Sequence, residues 1–395
     1  MTPAPIRIGV AGLGRAFTLM LPTFIADPRV TLAAATDARP STLASFGARF
    51  GARMHVDVEA LCADRDIDAV YVATPHQYHA QHTILAATHG KHVLVEKPMA
   101  LSVDECEAMI AAAERAGVQL VVGHSHSFDA PVRRARELID AGTIGRVRMV
   151  NAQYYTDFLY RLRRPEELDT RAGGGVLWSQ AAHQVDIVRM LGGGNVERVR
   201  ALTGAWDAAR ATEGAYAALL TFADGAFASL LYSGYAHFDS DIFCDDVSEL
   251  GLRKDRARYG DARRTLARAG APAGETAAKA ARNDATLDGI APHAAPTLRQ
   301  HEHFGVVVVS GERGDLRLLP GGVEIYGDDT VRLDAMPASA IPRVEVIDEL
   351  YAAVREGRAP LHDGRWSMAT LEVCMAMLQS ARERGDVVLH RQVAL

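Results

Sequence analysis

Short apolar segments alternate with helix-like stretches through the first 123 residues of the chain. The five segments are residues 6–11, 30–36, 69–73, 92–96 and 119–123. Strands that are apolar on both faces and separated by helices form a parallel sheet with helices on both sides. Ser102 and Glu105 form a capping box ahead of an Ala-rich helix that ends near Gly117. The pattern predicts an α/β fold with an N-terminal, doubly wound parallel sheet over residues 1–125.

The remainder, residues 126–395, has strands that follow one another directly. Residues 146–156, 196–206, 215–222 and 226–235 are examples, and two helices are expected near 344–356 and 367–384. Such an order is typical of an α+β domain with a large, mainly antiparallel sheet that helices cover on one face.

An insertion near residues 239–300 interrupts the strand pattern of the C-terminal domain. It is rich in Ala, Arg, Gly and Asp and has almost no large apolar residues. A structureless loop of this length is uncommon in a compact domain. A partly helical lid, an oligomer arm and a mobile surface excursion are the alternatives.

Composition excludes several classes of partner. The net charge of −6 provides no basic field for nucleic acid or for an anionic membrane. No apolar run reaches the roughly 20 residues that a membrane helix needs. The four cysteines are far apart, which is typical of buried thiols in a reducing compartment. We therefore expect a cytoplasmic protein that acts on small molecules.

A dinucleotide site is predicted directly after the first apolar segment, which identifies the N-terminal domain as a Rossmann domain. Gly12 and Gly14 allow a tight turn and close approach of a pyrophosphate, although Phe17 replaces the third glycine of the motif. Asp37 ends the second segment, where a carboxylate binds ribose hydroxyls and favours NAD. Arg39 leaves NADP possible. The predicted contacts are Gly12, Gly14, Arg15, Ala16, Asp37 and Arg39; an ordinary turn and a solvated carboxylate are the alternatives.

The segment from Val72 to Pro98 resembles the Gfo/Idh/MocA family, named for glucose–fructose oxidoreductase, inositol dehydrogenase and rhizopine catabolism. Its most specific feature is Glu96-Lys97-Pro98 at the end of a strand. Alcohol oxidation requires a base beside the carbinol, and a lysine can supply it. The resemblance implies that Lys97 is catalytic, that Glu96 positions it and that the Lys97–Pro98 peptide is cis. It also implies cofactor contacts from Thr74, Pro75, His79, Glu96 and Lys97.

A second family motif follows the glycine run at residues 173–175. On a helix, Ser179, His183 and Asp186 share one face, which could meet the substrate. Histidine suits proton relay because its unperturbed pKa is near neutrality, so we predict that His183 is the general acid/base. A core histidine is the alternative. The family usually has aspartate where Ser179 stands, which argues against a sugar or cyclitol substrate.

Other histidines and a group of arginines are candidate substrate ligands. His124 and His126 follow the last Rossmann strand, and an arginine-rich segment precedes the catalytic helix. The arginines could bind carboxylates of a dianionic substrate; neutralisation by Glu166, Glu167 and Asp169 is the equally weighted alternative. The predicted substrate contacts are His124, His126, Tyr160, Arg161, Arg163, Arg164, Arg171, Ser179, His183 and Asp186. The spacing of His76, His79, His82, His301 and His303 does not favour a metal site, and we predict none.

The chain is similar in further detail to one branch of the family, the phthalate 4,5-cis-dihydrodiol dehydrogenases of aromatic degradation. The similarity includes Phe17 and its following residues, Trp178 to His183, Arg343 to Leu350, and Asp363 to Trp366. It implies NAD-dependent oxidation of 4,5-dihydro-4,5-dihydroxyphthalate to 4,5-dihydroxyphthalate. It also implies a homodimer or homotetramer that forms through the C-terminal sheet.

Three other functions are compatible with the sequence. One is a dehydrogenase of a sugar, cyclitol or hydroxy-semialdehyde within the same family. Another is a regulator that binds NAD(H) without catalysis. The last is an enzyme that uses NAD catalytically in a hydrolysis or elimination.

Overall fold

The structure is a computed structural model that describes residues 4–289 and 299–395. These residues divide into two compact units. The first comprises residues 4–124, 280–289 and 340–368, and the second comprises residues 125–279, 299–339 and 369–395. The sequence placed a boundary at residue 125, and in the structure the chain returns twice to the first unit beyond that point.

Strands alternate with helices in the first unit and follow one another in the second. In chain order the strands are β1 (Ile6–Ala11), β2 (Val30–Thr36), β3 (Arg53–Met54), β4 (Ala69–Val72), β5 (His92–Val95), β6 (Leu120–Val122), β7 (Val147–Tyr155), β8 (Val196–Gly204), β9 (Ala215–Phe222), β10 (Phe227–Ser233), β11 (Val306–Gly311), β12 (Gly314–Leu319), β13 (Gly322–Tyr326), β14 (Val331–Ala335) and β15 (Val387–Val388). The helices are α1 (Arg15–Ala26), α2 (Pro40–Phe50), α3 (Val58–Ala63), α4 (His79–Thr88), α5 (Val103–Ala116), α6 (Ala130–Asp140), α7 (Ala182–Gly192), α8 (Asp261–Ala269), α9 (Pro272–Gly289), α10 (Val344–Arg355) and α11 (Gly364–Glu383).

The first unit contains a parallel sheet with the strand order β3-β2-β1-β4-β5-β6. This confirms the doubly wound sheet that the apolar segments predicted. Phe17 occupies the position of the missing third glycine, and its fully buried ring packs against Phe24 and Phe46. Half of the predicted capping box is present: the Ser102 hydroxyl accepts the Glu105 N–H at 3.1 Å, whereas the Glu105 carboxylate accepts the Leu101 N–H at 2.9 Å. Local sequence and tertiary packing therefore agree in this unit.

The second unit contains a nine-stranded sheet with the order β14-β13-β12-β11-β7-β10-β9-β8-β15. Strands β7 and β10 are parallel, and the other neighbouring strands are antiparallel. This confirms the mainly antiparallel sheet expected from the sequence. Helices α6 and α7 pack against it. Helix α7, which contains His183 and Asp186, contacts β7 and β10. These two residues therefore lie over the centre of the sheet.

The insertion is helical over much of its described length, since it contains α8 and α9. Residues 290–298 lie outside the described part of the chain. A buried ion pair joins Glu275 of α9 to Arg210 at 3.0 Å, and Lys279 of the same helix pairs with Glu167. The insertion is therefore partly helical over the residues that the structure describes. Its role as a lid or an oligomer arm stays a prediction.

Two further expectations concern membranes and thiols. Within residues 4–289 and 299–395, no helix is both long enough and apolar enough to cross a bilayer. Cys62, Cys106, Cys244 and Cys374 are all buried and make no disulfide. The cytoplasmic location stays a prediction.

Candidate active site

The turn between β1 and α1 has the geometry that a dinucleotide pyrophosphate requires. Gly12 has a φ of +96°, and a Cβ added there would lie 2.7 Å from the carbonyl oxygen of Ala73. Gly14 is the N-cap of α1 and offers no side-chain cap, so the first N–H groups of the helix suit an anion. Arg15 is exposed and Ala16 is half-buried in that first turn. The residues present therefore fit the phosphate portion of NAD.

Asp37, which directly follows β2, hydrogen-bonds the same turn. Its carboxylate accepts the Leu13 N–H at 2.7 Å and the Arg39 N–H at 2.9 Å. The Arg39 guanidinium in turn contacts Asp284 of α9 at 2.7 Å, and Thr42 also hydrogen-bonds Asp284 at 3.1 Å. Asp37 thus directly follows β2, as the sequence indicated, and hydrogen-bonds the glycine turn. The pairing of Arg39 with Asp284 was not expected.

His79 connects two loops at the carboxyl edge of the parallel sheet. Its fully buried ring has Nδ1 2.9 Å from the Pro98 carbonyl oxygen and Nε2 2.8 Å from the Thr74 carbonyl oxygen. Burial lowers the pKa of His79, although both carbonyls act in the opposite direction. The Thr74 hydroxyl also lies 3.0 Å from Nδ1 of His82. Because both ring nitrogens face backbone oxygens, His79 positions the Thr74–Pro75 loop and the Pro98 loop.

The Glu96-Lys97-Pro98 segment follows β5. The Lys97–Pro98 peptide is cis, as the family resemblance implied. Glu96 is buried and accepts a hydrogen bond from the Tyr71 hydroxyl. Burial raises the pKa of Glu96, while the Tyr71 hydroxyl, Lys97 and Arg343 oppose that change. Glu96 therefore lies within the electrostatic reach of Lys97, as a positioning carboxylate must.

The glycine run allows a tight approach of backbone segments ahead of α7. A Cβ on Gly174 would lie 2.6 Å from the Glu166 carbonyl oxygen, and one on Gly175, whose φ is +84°, would lie 2.3 Å from Thr212 Oγ1. A π-helical turn at Leu177–Ala181 follows, a feature that is frequent at functional sites. The Ser179 hydroxyl donates to the Gly175 carbonyl at 2.6 Å. Ser179 thus stabilises the turn that leads into α7.

His183 is buried at the start of α7 among aromatic rings. Its ring centroid lies 4.7 Å from that of His126 and 5.1 Å from that of Phe304. The His126 backbone N–H donates to His183 Nδ1 at 3.3 Å. Because Nδ1 accepts, the neutral ring is assigned its proton on Nε2. His183 can therefore donate a hydrogen bond through Nε2.

Asp186, three residues further along α7, has its carboxylate among buried side chains. It accepts hydrogen bonds from the Ser127 hydroxyl and, at 2.8 Å, from the Thr370 hydroxyl. The fully buried Arg189 donates to Thr370 Oγ1 at 2.8 Å. These contacts link α7 to the 126–128 turn, so Asp186 supports the position of that turn.

His124, another predicted substrate contact, is also buried and belongs to the first unit.

The predicted arginine segment has carboxylates as neighbours. Arg161 pairs with Glu249 at 2.7 Å, Arg164 with Glu166 at 3.1 Å and Arg171 with Asp169 at 3.4 Å. The guanidinium of Arg163 stacks on Phe158, 3.6 Å from the ring centroid, and burial lowers its pKa to about 10. The guanidinium carbon of Arg263 lies 4.0 Å from the ring centroid of Tyr160. Much of the positive charge is thus balanced internally, which favours the neutralised alternative for Arg161, Arg164 and Arg171.

The sequence contains no signal for several of these partners. Glu249 is 88 residues from Arg161 in the chain, and Asp284 is 245 residues from Arg39. Neither belongs to a motif with recognisable spacing. Only the three-dimensional structure brings these carboxylates to the predicted site residues.

The comparisons with known proteins agree with this architecture. Residues 6–124 match the family described as "Oxidoreductase family, NAD-binding Rossmann fold", and residues 132–247 match the "GFO/IDH/MocA C-terminal domain". The chain belongs to the Gfo/Idh/MocA family. It is therefore an NAD-binding oxidoreductase, as the glycine turn and the Glu96-Lys97-Pro98 segment predicted.

Several known proteins are similar to this chain over nearly its full length. The 1-carboxy-3-chloro-3,4-dihydroxycyclohexa-1,5-diene dehydrogenase of Comamonas testosteroni is 47% identical over 95% of both chains. A crystal structure of a dehydrogenase from Bordetella bronchiseptica RB50 has 41% identity and a TM-score of 0.90, covering 98% of this chain and all of that one. The WlbA dehydrogenase of Bordetella pertussis, solved with NADH and UDP-GlcNAcA, has 23% identity and a TM-score of 0.68, covering 98% of this chain and 100% of that one, and it supports the fold alone.

Proposed function

We propose that this family member oxidises a carboxylated cis-dihydrodiol of an aromatic ring to the corresponding catechol and reduces NAD. The observation that carries the proposal is the similarity to the Comamonas testosteroni enzyme, whose name specifies a carboxylated dihydroxycyclohexadiene, over 95% of both chains. The phthalate 4,5-cis-dihydrodiol is the substrate that we propose within this class. Its oxidation product regains aromaticity by tautomerisation, which makes the overall reaction favourable.

The proposed chemistry assigns distinct roles to Lys97 and His183. NAD supplies the hydride acceptor when it is bound in the glycine turn. Neutral Lys97 takes the hydroxyl proton as the carbinol C–H bond breaks and the carbonyl forms. The Nε2–H of His183 donates to the substrate oxygen, because its Nδ1 accepts the His126 N–H. Preorganised donors of this kind stabilise the charge that develops on oxygen.

Recognition of the substrate carboxylates is assigned to Arg163. Its Nε atom is buried and makes no hydrogen bond to any residue in the described part of the chain, and a buried donor of this kind gains free energy when a partner binds. Arg161 shares its charge with Glu249 and Asp157. The Arg163 guanidinium also lies 4.0 Å from Glu167, so its Nε atom is the proposed contact for one carboxylate of the substrate.

The proposal is tested by the absorbance of NADH after the purified chain is mixed with NAD and a substrate panel. The panel contains the phthalate 4,5-cis-dihydrodiol, a monocarboxylated dihydrodiol, a cyclitol and a sugar. Turnover of the phthalate diol that is lost in Lys97→Ala would support the whole assignment. Turnover of the monocarboxylated diol alone would remove phthalate but keep the reaction. Turnover of a sugar or cyclitol alone, or NADH binding without any turnover, would reject the reaction.

Self-association through the nine-stranded sheet is also proposed. Leu202, Leu219 and Phe227 belong to the adjacent strands β8, β9 and β10, and their exposed fractions are 64%, 55% and 46%. Apolar side chains gathered on one sheet face are a common sign of a protein interface. A homodimer or homotetramer would cover them.

A further inference from the structure

A cluster of metal-ligating side chains lies beside His183 in the second unit. His126 is in the 3₁₀ turn that precedes α6, Asp129 is the N-cap of α6, and Glu302 precedes β11. The exposed fractions of these three residues are 4%, 5% and 7%. One ligand atom from each lies within 4.8 Å of the others, and His126 Nδ1 is 2.7 Å from an oxygen of Asp129.

The chemistry of this cluster suits a divalent transition-metal ion. Bonds of about 2.0–2.2 Å to imidazole and carboxylate donors place ligand atoms up to about 4 Å apart, so only small side-chain adjustments are needed here. Imidazole disfavours Ca²⁺ and Mg²⁺, which prefer oxygen donors, and suits Zn²⁺ or Fe²⁺. Two ionised carboxylates would balance the charge of such an ion.

A hydrogen-bonded structural cluster is the competing explanation, and the first unit contains an example of one. Buried His362 has Nδ1 2.9 Å from an oxygen of Glu349. One carboxylate is sufficient to orient one imidazole, as in that pair. The His126 cluster differs from that pair because it adds Glu302, a second buried carboxylate, so that three ligand atoms converge.

We propose that His126, Asp129 and Glu302 bind one divalent transition-metal ion, with Zn²⁺ as the first probe. The ion would replace the proton that His126 and Asp129 share, since metal binding displaces protons from its ligands. The ion would fix the turn whose backbone N–H contacts His183. This inference concerns metal binding and does not depend on the identity of the dihydrodiol.

The test measures the metal content of the full chain, prepared without a histidine tag. After treatment with a chelator, the protein is incubated with Zn²⁺, passed through a desalting column and analysed by mass spectrometry of the metal. We expect about one ion per chain for the wild type. Asp129→Asn and Glu302→Gln should weaken the affinity by at least about 10-fold, whereas Glu349→Gln serves as the matched control and should bind like the wild type.

Thermal unfolding provides a second readout that does not require turnover. Zn²⁺ should raise the Tm of the wild type and of Glu349→Gln by on the order of 5 °C and raise that of Glu302→Gln by clearly less. NADH binding by each variant verifies that the fold is retained. Failure of the wild type to retain Zn²⁺, Mn²⁺ or Fe²⁺, or equal retention by Glu302→Gln and Glu349→Gln, would overturn the proposal and leave a hydrogen-bonded cluster only.

Discussion

Asp284 of α9 binds the guanidinium of Arg39, with 2.7 Å between Oδ1 and Nη1. Arg39 is the residue that could pair with the 2′-phosphate of NADP, and Asp37, on its other side, lies 3.2 Å from its Nε atom. The arginine is therefore already shared between two carboxylates. This places a residue of the insertion beside Arg39 and Asp37, the pair that we propose sets the choice between NAD and NADP.

Removal of this carboxylate should weaken the preference for NAD. In Asp284→Asn, Arg39 loses one counter-charge, so we expect kcat/KM for NADP to rise about 10-fold relative to that for NAD. Steady-state kinetics with both cofactors measure this ratio. Asp348→Asn is the control, because Asp348 pairs with Arg29 at 2.7 Å in the same unit. An unchanged ratio in Asp284→Asn would show that Asp37 alone sets the preference.

Much of the fold and part of the site are predictable from sequence because they depend on local patterns. Strands β1 and β2 have the predicted bounds, since each is a short, mainly apolar segment bounded by turn residues. The position of Asp37 directly after β2 follows from spacing within one βαβ unit. Both predictions use interactions between residues close in the chain, where periodicity and turn chemistry dominate.

The unpredicted part depends on contacts between distant residues. The charge of the arginine segment was evident, but its neutralisation by Glu249 was not, because nothing in the sequence specifies that pairing. Asp186 illustrates the same limit. Its helical spacing from His183 was readable, yet its hydrogen bonds to Ser127 and Thr370 arise from tertiary structure.

Acid should destabilise the chain partly through Glu249. Burial opposes ionisation, but Arg161 beside it lowers the pKa of Glu249 from 4.5 to about 2. Because the folded-state pKa is depressed, the ionised group stabilises the fold above about pH 4.5, and this contribution is lost as the pH falls towards 2. Because both side chains are partly exposed to solvent, we expect this contribution to the free energy of unfolding to be only about 2 kcal/mol.

The variant Glu249→Gln should therefore unfold about 4 °C below the wild type at pH 7. The difference should shrink as the pH approaches 2, because protonated glutamate resembles glutamine. Thermal unfolding followed by circular dichroism across this range measures it. Glu137→Gln, which affects an exposed pair with Arg134, should show no such trend, and a constant difference for Glu249→Gln would contradict the pKa assignment.

Charge on the open face of the nine-stranded sheet should prevent self-association. In Leu219→Lys, a cation replaces an exposed apolar side chain on β9, and its burial in an interface would be costly. We expect the mass measured by light scattering after gel filtration to fall from that of an oligomer to that of one chain. Val56→Lys, at a 90% exposed position of the first unit, should leave the mass unchanged. A monomeric wild type would reject this interface.

The tautomer of His183 predicts how substitutions there should differ. If its Nε2–H donates to the substrate oxygen, the amide N–H₂ of Gln can partly replace it, whereas Ala cannot. We expect His183→Ala to lower kcat by about 10²–10⁴-fold and His183→Gln to retain at least about 10-fold more activity than His183→Ala.

If His183 instead accepts the hydroxyl proton, Gln cannot replace it, and both variants should be equally impaired. Single-turnover formation of NADH separates these outcomes, with Lys97→Ala as the reference for loss of the base. Equal rates for His183→Gln and His183→Ala would indicate that His183, and not Lys97, is the base. The ring proton of His183 would then lie on Nδ1 and not on Nε2, contrary to the tautomer that the His126 N–H indicates.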